Sequence, residues 1–557
     1  MLSAWKRRER MESCGKDMNQ IPDITSLSLE QKIGQILCFG WQGDTPAESQ
    51  SLNAHAREIV EEMGAGSIVL MARNLHGSDP LCTRALVDEL QGHAAIPLFV
   101  AVDQEGGSVN RFCEPIHPFP GNMALGAIAS GRMGMPAGEL YTHRQAEAQA
   151  RELLAVGVNW NFAPVADVNN NPGNPIIGVR SYGENPKLVA NLACAAIRGY
   201  QENGILACAK HFPGHGDTNV DSHLALPTID GDLRRIESVE LVPFNAAIVQ
   251  GVGSIMTTHI LFRQLDPERP ATLSQSILTG LLRRQLGYEG VVITDCLEMD
   301  AIAGTVGTAR GAVAALKAGA DVVLVCHTLE RQRETVKAIR DAVNSGELPE
   351  SRLDEAATRV LAAKRRFLTD RNNESSEPWL DSEHDWLEKE IAKSSITVVR
   401  NSGAIPIRKS GSVLTVSMHP VVKTLANSIQ RRGPHVEVLY LDSESGDDLE
   451  LESLNRFNTA IVLTCSREPW AANPIDQDRQ ARLVKLLHHA CESYGLDMIV
   501  AAIKEPYDVR RFEEITNYVC TYGFKPCSLD ALADVLFGDA TSSAALPVTI
   551  PSPKQEP

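Results

Sequence analysis

The sequence predicts an α/β protein, with a TIM-like (β/α)₈ barrel followed by a smaller α/β sandwich domain. Eight short apolar runs alternate with helix-like segments over roughly the first 330 residues, as βα repeats do. A polar stretch, LTDRNNESSEP, ends this pattern, and a second, shorter alternation begins at Ser395. The predicted divisions are a disordered tail over 1–24, the barrel over 25–368, a linker and connecting helix over 369–394, and the second domain over 395–557.

Each predicted barrel strand is a continuous apolar run, because parallel strands are buried on both faces. The predicted strands are Ile33–Phe39, Gly66–Met71, Pro97–Val102, Gly157–Ala163, Ile205–Lys210, Gly253–Thr258, Gly290–Thr294 and Ala320–Val325. Apolar residues at helical spacing predict the intervening helices. These helices are Asn53–Met63, Thr83–Gly92, Leu140–Val156, Pro186–Asn203, Ser238–Gln250, Ser274–Leu286 and Gly307–Ala318.

The second domain repeats the alternation on a smaller scale. Its predicted strands are Ile396–Arg400, Val413–Met418, Val436–Leu441, Ala460–Cys465, Met498–Lys504 and Tyr518–Tyr522. Its predicted helices include Val421–Arg432, Ala481–Ser493 and Ser528–Phe537. The domain contains neither GxGxxG nor GxxxxGK[ST], so no nucleotide site is indicated. We expect it to pack on the barrel and to contribute stability, with the catalytic residues in the barrel.

Charge and cysteine usage exclude several classes of protein. The 557 residues carry a formal charge of −17, which argues against a basic nucleic-acid-binding surface and against binding to anionic membranes. No apolar run is long enough for a membrane-spanning helix, and no secretory signal follows the basic KRRER segment. The 12 cysteines form no CxxC pair, and several lie in apolar runs. This pattern predicts a reducing, cytoplasmic compartment.

Polar residues follow the predicted strands at the end of the barrel where active sites form. They are Trp41, Arg73, Asp103, Asp167, Lys210, His211, His259 and Asp295. The segment KHFPGHGDTNVDSHLALP, which begins at Lys210, is the richest in chemical groups. The residues alone leave two interpretations open. One is a metal site with His211, His215, Asp217 and His223 as ligands, and the other is an Asp221–His223 dyad that moves a proton.

Three further segments place charged groups beside strand ends. Asp295 ends a strand in GVVITDCLEMDA, where it faces the barrel mouth or caps the next helix. Asp103 ends another strand in PLFVAVDQEGGSVNR, and Arg180 lies in the loop segment PIIGVRSY. We expect the segment 214–224 to be a mobile loop, because its glycines leave few packed side chains to hold it. In the unliganded protein this loop would keep His223 away from Asp295.

The motifs VDQEGGSVNRF, IIGVRSYG, KHFPGHGDTNVDSH and VITDCLEMDAI, in this order, resemble the family 3 glycoside hydrolases. The histidine-rich segment resembles their β-N-acetylglucosaminidase branch, in a two-domain form. This resemblance implies that Asp295 is the nucleophile and that His223, oriented by Asp221, is the general acid/base. It also implies that Asp103, Arg111, Arg180, Lys210 and His211 hold the sugar. The chain departs from the family pattern at Cys296, after the nucleophile, and at Ser108, where arginine is common.

The resemblance implies an exo-acting, retaining β-N-acetylglucosaminidase that forms a covalent glycosyl-aspartate intermediate. It implies no cofactor or metal and a substrate with a terminal N-acetylglucosamine. Alternatives are a phosphorylase of the same branch, a metal-dependent barrel hydrolase and a sugar-binding module. The module is disfavoured, because binding alone requires neither the dyad nor Asp295. The sequence does not identify the physiological substrate or the oligomeric state.

Overall fold

A computed structural model describes residues 21–77, 79–219, 226–368, 377–442, 451–466 and 474–551. The first part of the chain forms a closed barrel of eight strands, which confirms the predicted fold class. The barrel strands are β1 (Leu37–Phe39), β2 (Ser67–Leu70), β3 (Phe99–Val102), β4 (Trp160–Asn161), β5 (Leu206–Phe212), β6 (Ser254–Thr257), β7 (Val291–Cys296) and β8 (Val322–Val325). Most residues of the predicted disordered tail and part of the predicted linker lie outside the described residues.

Every neighbouring pair of barrel strands is parallel, and the ring closes where β1 pairs with β8. The order around the ring is β1-β8-β7-β6-β5-β4-β3-β2, so strands adjacent in sequence are adjacent in space. Apolar side chains and several cysteines fill the interior. Among them, the Trp160 ring contacts Phe99 at a tilted angle and Phe162 edge to face. This packed interior brings the carboxyl ends of all eight strands to one face.

Helices separate the strands, as the spacing of apolar residues predicts. Those of the barrel region are Leu29–Gln35, Pro46–Ser49, Ala54–Arg57, Pro80–His93, Asn122–Ser130, Gly134–Ala155, Pro186–Glu202, Leu233–Ser238, Leu241–Val249, Asp300–Ala303, Thr308–Ala318, Leu329–Asn344 and Glu350–Phe367. Two of the predicted helices contain π-helical turns, at Glu58–Glu62 and Ser276–Gln285. Within the described residues, no helix is both long and apolar enough to span a membrane.

The predicted first strand, Ile33–Phe39, is wrong at its beginning. Residues 33–35 belong to the helix Leu29–Gln35, and the strand begins only at Leu37. The helix is set by a capping box in which the Ser28 hydroxyl accepts a bond from the Gln31 backbone and the Gln31 side chain accepts one from the Ser28 backbone. The apolar run IGQILCF continues from the helix into the strand, so hydrophobicity alone does not mark the boundary between them.

The second domain is a six-stranded sheet between helices. Its strands are β9 (Thr397–Arg400), β10 (Ser412–Ser417), β11 (His435–Tyr440), β12 (Thr459–Thr464), β13 (Asp497–Ala502) and β14 (Tyr518–Cys520), in the order β9-β14-β13-β12-β10-β11. Only β9 runs antiparallel to its neighbour in this sheet. The helices of this region are Ser382–Ser395, Val422–Gln430, Gln477–Tyr494 and Pro526–Leu536. All six predicted strands are confirmed.

One face of this sheet shares a hydrophobic core with the barrel. Met123, Ala124 and Ala127 of the helix Asn122–Ser130 belong to the same buried cluster as the sheet residues Val462 and Val500. Hydrogen bonds reinforce the contact, including one of 2.9 Å from the Asn169 amide to the Tyr507 hydroxyl. The segment after the last helix also lies against the barrel, because the Ala545 amide donates to the Ala127 carbonyl. The barrel therefore relies on the second domain to cover an apolar helix.

We predict that residues 1–372 expressed alone give an aggregated or poorly folded barrel. Removal of the second domain would expose Met123, Ala124 and Ala127 to water, and exposed apolar patches of this kind drive association. Size-exclusion chromatography and thermal unfolding of the fragment, compared with the full chain, provide the measurement. A monomeric fragment with full activity would show that the second domain is separable.

Candidate active site

A cavity of about 610 Å³ opens at the carboxyl ends of the barrel strands. All five predicted sugar-binding residues line it, and so does the predicted nucleophile. They are Asp103, Arg111, Arg180, Lys210, His211 and Asp295. Apolar side chains, among them Val69, Phe162 and Met256, form other parts of its wall. The cavity therefore combines a charged region with apolar surface, as sites for small polar ligands commonly do.

Two carboxylates and three cations form a largely buried network across the cavity floor. The Lys210 ammonium lies 2.8 Å from Asp103 and 2.6 Å from Glu105. The Arg180 guanidinium binds Glu105 through two nitrogens, at 2.9 and 2.8 Å. Arg111 approaches the second oxygen of Asp103 at 3.2 Å. Since Asp103 and Glu105 follow β3, Lys210 lies in β5 and Arg180 follows β4, the network ties three neighbouring strands together.

The network keeps both carboxylates ionised although Glu105 is buried and Asp103 is half-buried. Burial by itself favours the neutral acid, but the charges of Lys210 and Arg111 lower the pKa of Asp103 far below its ordinary value. Burial likewise opposes ionisation of Glu105, yet Arg180 and Lys210 lower the pKa of Glu105 to about 2. The same carboxylates raise the pKa of Lys210 against the effect of its burial. At neutral pH the floor therefore presents fixed, paired charges to a ligand.

Asp167 anchors the start of the loop after β5. One oxygen accepts bonds from the backbone amides of His211 and His215, at 3.1 and 2.7 Å, and the other lies 2.7 Å from His211 Nδ1. Because the carboxylate holds Nδ1, the opposite nitrogen of His211 faces Arg180, 3.5 Å away. Burial, with the nearby His211, lowers the pKa of His215 to about 4, so this second imidazole is neutral at pH 7.

Asp295 lies in β7, half-buried on the cavity wall. One of its oxygens accepts a bond of 2.7 Å from the Cys296 amide. The next carbonyl, that of Cys296, lies 3.0 Å from His259 Nε2, and His259 Nδ1 contacts the Thr272 hydroxyl at 2.8 Å. Since a carbonyl can only accept, Nε2 carries a proton. The buried His259 therefore supports the backbone that orients Asp295.

The residues predicted to catalyse or to bind the sugar fall into two groups in the structure. Asp103, Arg111, Arg180, Lys210, His211 and Asp295 converge on the cavity, whereas Asp221 and His223 lie outside the described residues. The distance between His223 and Asp295 is therefore not part of the described structure. Ser108 is exposed and lies on the cavity lining. The sequence reasoning assigned no role to Glu105, although it stands in the quoted motif and is the most buried member of the network.

The expectation of few packed side chains in the segment 214–224 is wrong for its described part. His215 and Thr218 are buried, and the Asn174 amide donates to the His215 carbonyl at 2.8 Å. At Gly216 the backbone lies so close to the carbonyl of Val168 that an added Cβ would stand 1.7 Å from that oxygen. Glycine is needed here for close approach, and the loop is therefore tightly packed at its beginning.

The proposed metal ligands do not form a cluster in the described part of the chain. Asp217 pairs with Arg235 at 2.6 Å, and His211 is held by Asp167. Two other groups of described residues bring three possible ligand atoms together, namely Cys296 with Cys326 and His327, and His117 with Glu152 and His384. Neither contains His211, His215 or Asp217, and His223 is not described.

The fold and the site define a class of barrel enzyme. Its cavity holds a carboxylate together with fixed cations that can bind sugar hydroxyls. Residues 28–363 match the family described as the glycosyl hydrolase family 3 N terminal domain, and the chain belongs to this family. It is therefore a glycoside hydrolase that acts on O-glycosyl bonds, and the resemblance drawn from the four motifs is confirmed.

Three relatives extend this finding beyond the barrel. The chain is 30% identical to β-hexosaminidase A of Pseudoalteromonas piscicida over 95% of its own length and 98% of that protein. A solved family 3 β-N-acetylglucosaminidase from Paenibacillus sp. str. FPU-7 matches with a TM-score of 0.84 and 36% identity, over 94% of this chain and 99% of that chain. A fungal multi-domain β-N-acetylglucosaminidase matches with the same TM-score and 33% identity, over 94% of this chain and 61% of that longer one.

We predict that Glu105→Gln lowers both stability and activity. The change preserves shape but leaves Arg180 and Lys210 without their shared carboxylate, and breaking a buried pair costs about 3–5 kcal/mol. Chemical denaturation and kcat/KM provide the two measurements. The matched control is Asp321→Asn, which removes a buried carboxylate held by Arg283, Arg352 and Arg359 just before β8, away from the cavity. Asp321→Asn should lose stability without a comparable loss of kcat/KM. If the two variants lost stability and kcat/KM to the same extent, the role of Glu105 in the site would be contradicted.

The pKa of Glu105 also predicts a dependence of stability on pH. The folded-state value of about 2 lies below the ordinary value of 4.5, so the carboxylate stabilises the fold above pH 4.5. This contribution is lost as the pH falls from about 4.5 towards 2. Unfolding free energies of the wild type and of Glu105→Gln should therefore converge over this range, and a constant difference between them would be the contrary result.

Proposed function

We propose that the chain is an exo-acting, retaining β-N-acetylglucosaminidase that removes terminal β-linked N-acetylglucosamine. The observation that carries the proposal is the position of Asp295 on the wall of a cavity whose floor holds Asp103, Lys210 and His211. The relatives from Pseudoalteromonas and Paenibacillus, a β-hexosaminidase and a β-N-acetylglucosaminidase, support the choice of sugar. The neutral sugar would be held by hydrogen bonds from charged groups, which are stronger than those from neutral groups.

In the proposed mechanism, the Asp295 carboxylate attacks the anomeric carbon and forms a covalent glycosyl-aspartate, while the leaving oxygen receives a proton. The proton comes from His223, oriented by Asp221, since an imidazole with an ordinary pKa near 6.5 can donate near neutral pH. The same histidine then removes a proton from the water that hydrolyses the intermediate. The paired charges of Asp103 and Lys210 orient the sugar hydroxyls during both steps.

Hydrolysis of p-nitrophenyl glycosides tests the sugar and the acceptor together. We expect the β-N-acetylglucosaminide to react faster than the β-glucoside and the β-N-acetylgalactosaminide. Release of free sugar should be unaffected by added phosphate, and a chelator should not inactivate the enzyme. A sugar phosphate as the main product would instead identify a phosphorylase, and inactivation by the chelator would favour the metal-dependent hydrolase.

We predict that Asp295→Asn lowers kcat by several orders of magnitude while the protein stays folded. The substitution keeps the volume of the side chain but removes the charge that attacks the sugar. Steady-state kinetics and circular dichroism provide the measurement. Asp300→Asn is the control, because it makes the same change at another carboxylate on the cavity lining and should keep most of the rate. More than a tenth of wild-type turnover in Asp295→Asn would remove the nucleophile assignment.

We predict that His223→Ala impairs substrates with poor leaving groups much more than activated aryl glycosides. Only a poor leaving group needs the proton that the histidine supplies. The measurement is kcat/KM for N-acetylglucosaminides whose leaving groups differ in pKa. A similar loss on every substrate would exclude His223 as the general acid.

We also propose that the protein works in a reducing, cytoplasmic compartment. Every cysteine in the described part of the chain is a free thiol. Cys38, Cys208, Cys296 and Cys326 are buried together in the barrel interior without a disulfide, which is the state that a reducing compartment maintains. Immunolocalisation or cell fractionation tests this assignment.

A further inference from the structure

Two cysteines and a histidine stand together on the wall of the sugar cavity. Cys296, Cys326 and His327 all line the cavity, and their three possible ligand atoms lie within 4.8 Å of one another. Cys296 is the residue directly after the predicted nucleophile. The proposed hydrolysis uses none of these three side chains.

The barrel brings the three residues together because β7 and β8 are neighbours. Cys296 is the last residue of β7 and pairs with Leu324 of β8, while Cys326 directly follows β8. The two thiols share a hydrogen bond, which together with burial raises the pKa of the Cys326 thiol well above its ordinary value. The pair is therefore held in contact by the sheet and does not depend on a mobile loop.

Two carboxylates and two arginines surround this place, and one of the arginines, Arg331, lies 3.7 Å from the Glu298 carboxylate. Asp295 precedes Cys296, and the Glu298 carboxylate accepts bonds from the backbone amides of His327 and Thr328, at 2.6 and 3.1 Å. Arg73 opposes these charges and lies 3.0 Å from His327 Nδ1. Arginine can only donate, so Nδ1 accepts from it and the proton of the neutral ring lies on Nε2. To bind a metal through Nδ1, His327 must leave Arg73, and to bind it through Nε2, that nitrogen must give up its proton.

We propose that Cys296, Cys326 and His327 form an inhibitory binding site for a thiophilic divalent cation, with Zn²⁺ as the probe. Two thiolates and an imidazole suit tetrahedral zinc, whose bonds to sulfur of about 2.3 Å place two sulfurs about 3.8 Å apart. Each thiol loses its proton to solvent as its bond to the metal forms, and no group is oxidised or reduced. The fourth position faces the cavity, where the ion stands beside Asp295 and occupies space that the sugar needs.

The second group of possible ligands has a different explanation. His117 and His384 each lie within 2.8 Å of the same oxygen of Glu152, so hydrogen bonds already account for that cluster. It is buried at the helix Gly134–Ala155 and does not line the sugar cavity. The cysteine pair differs because it opens onto the cavity.

Zinc binding to the full-length protein tests the proposal directly. Metal-free protein is titrated with Zn²⁺ in a calorimeter, and bound zinc is counted after gel filtration. We expect one tightly bound ion per chain in the wild type, with binding weakened by about tenfold or more in Cys326→Ser and in His327→Asn, since even outer contacts to a metal are worth 10–100-fold. Cys82→Ser is the matched control, because it removes an exposed thiol on the helix Pro80–His93 and should bind zinc as the wild type does.

Inhibition is measured separately, on p-nitrophenyl N-acetylglucosaminide, with each variant compared with its own metal-free rate. We expect Zn²⁺ to inhibit the wild type and Cys82→Ser competitively, chelator to reverse the inhibition, and Cys326→Ser to resist it. Cys326→Ala serves as a second variant, and circular dichroism shows that each variant is folded. The inhibition assay alone rests on the proposed function. If the protein bound zinc through its thiols but were inactive on this substrate, the proposed function would be refuted and the metal site would not be affected. Absence of stoichiometric zinc in the wild type, or wild-type zinc affinity in folded Cys326→Ser and Cys326→Ala, would overturn the metal site.

Discussion

The paired charges beneath the sugar cavity are the constraint on which the rest of the site depends. Glu105 is a buried carboxylate and Asp103 a half-buried one, and an unpaired charge is costly in such positions. Lys210 and Arg180 satisfy them, and each of these cations comes from a different part of the barrel. The position of β3, β5 and the loop after β4 is thereby fixed by electrostatics as well as by packing. The charged groups on the cavity floor are consequently in place before any ligand arrives.

A second layer of polar contacts orients two of the groups that line the cavity, His211 and Asp295. Asp167 holds His211 and the start of the following loop, and His259 holds the backbone beside Asp295. These two residues are fully buried and do not line the cavity. The site thus consists of groups that face the ligand and of deeper groups that set their directions, a division common in preorganised active sites.

The sequence predicted most of the fold because buried parallel strands leave a strong signal of continuous apolar runs. The prediction of a strand was wrong at Ile33, because a capped helix leads into β1 there without a polar residue between them to mark the boundary. The strand-end rule found Asp103, Lys210 and Asp295, since it needs only the order of elements. It missed the role of Glu105, because no local pattern shows that this residue faces Arg180, which lies 75 residues away. The tight packing at Gly216 could not be predicted from the sequence either, because it depends on contact with the neighbouring loop.

The segment after the helix Pro526–Leu536 has a consequence for how the protein is made. The Ser543 carbonyl accepts a bond from the Arg132 amide, the Ala545 amide donates to Ala127, and the Pro547 carbonyl accepts a bond from the Glu184 amide. These partners belong to the first half of the barrel, yet the segment leaves the ribosome after the whole second sheet. The part of the barrel surface that this segment covers is therefore exposed until the segment has been synthesised. It is covered only when residues 543–547 dock on the barrel, after both sheets have been made.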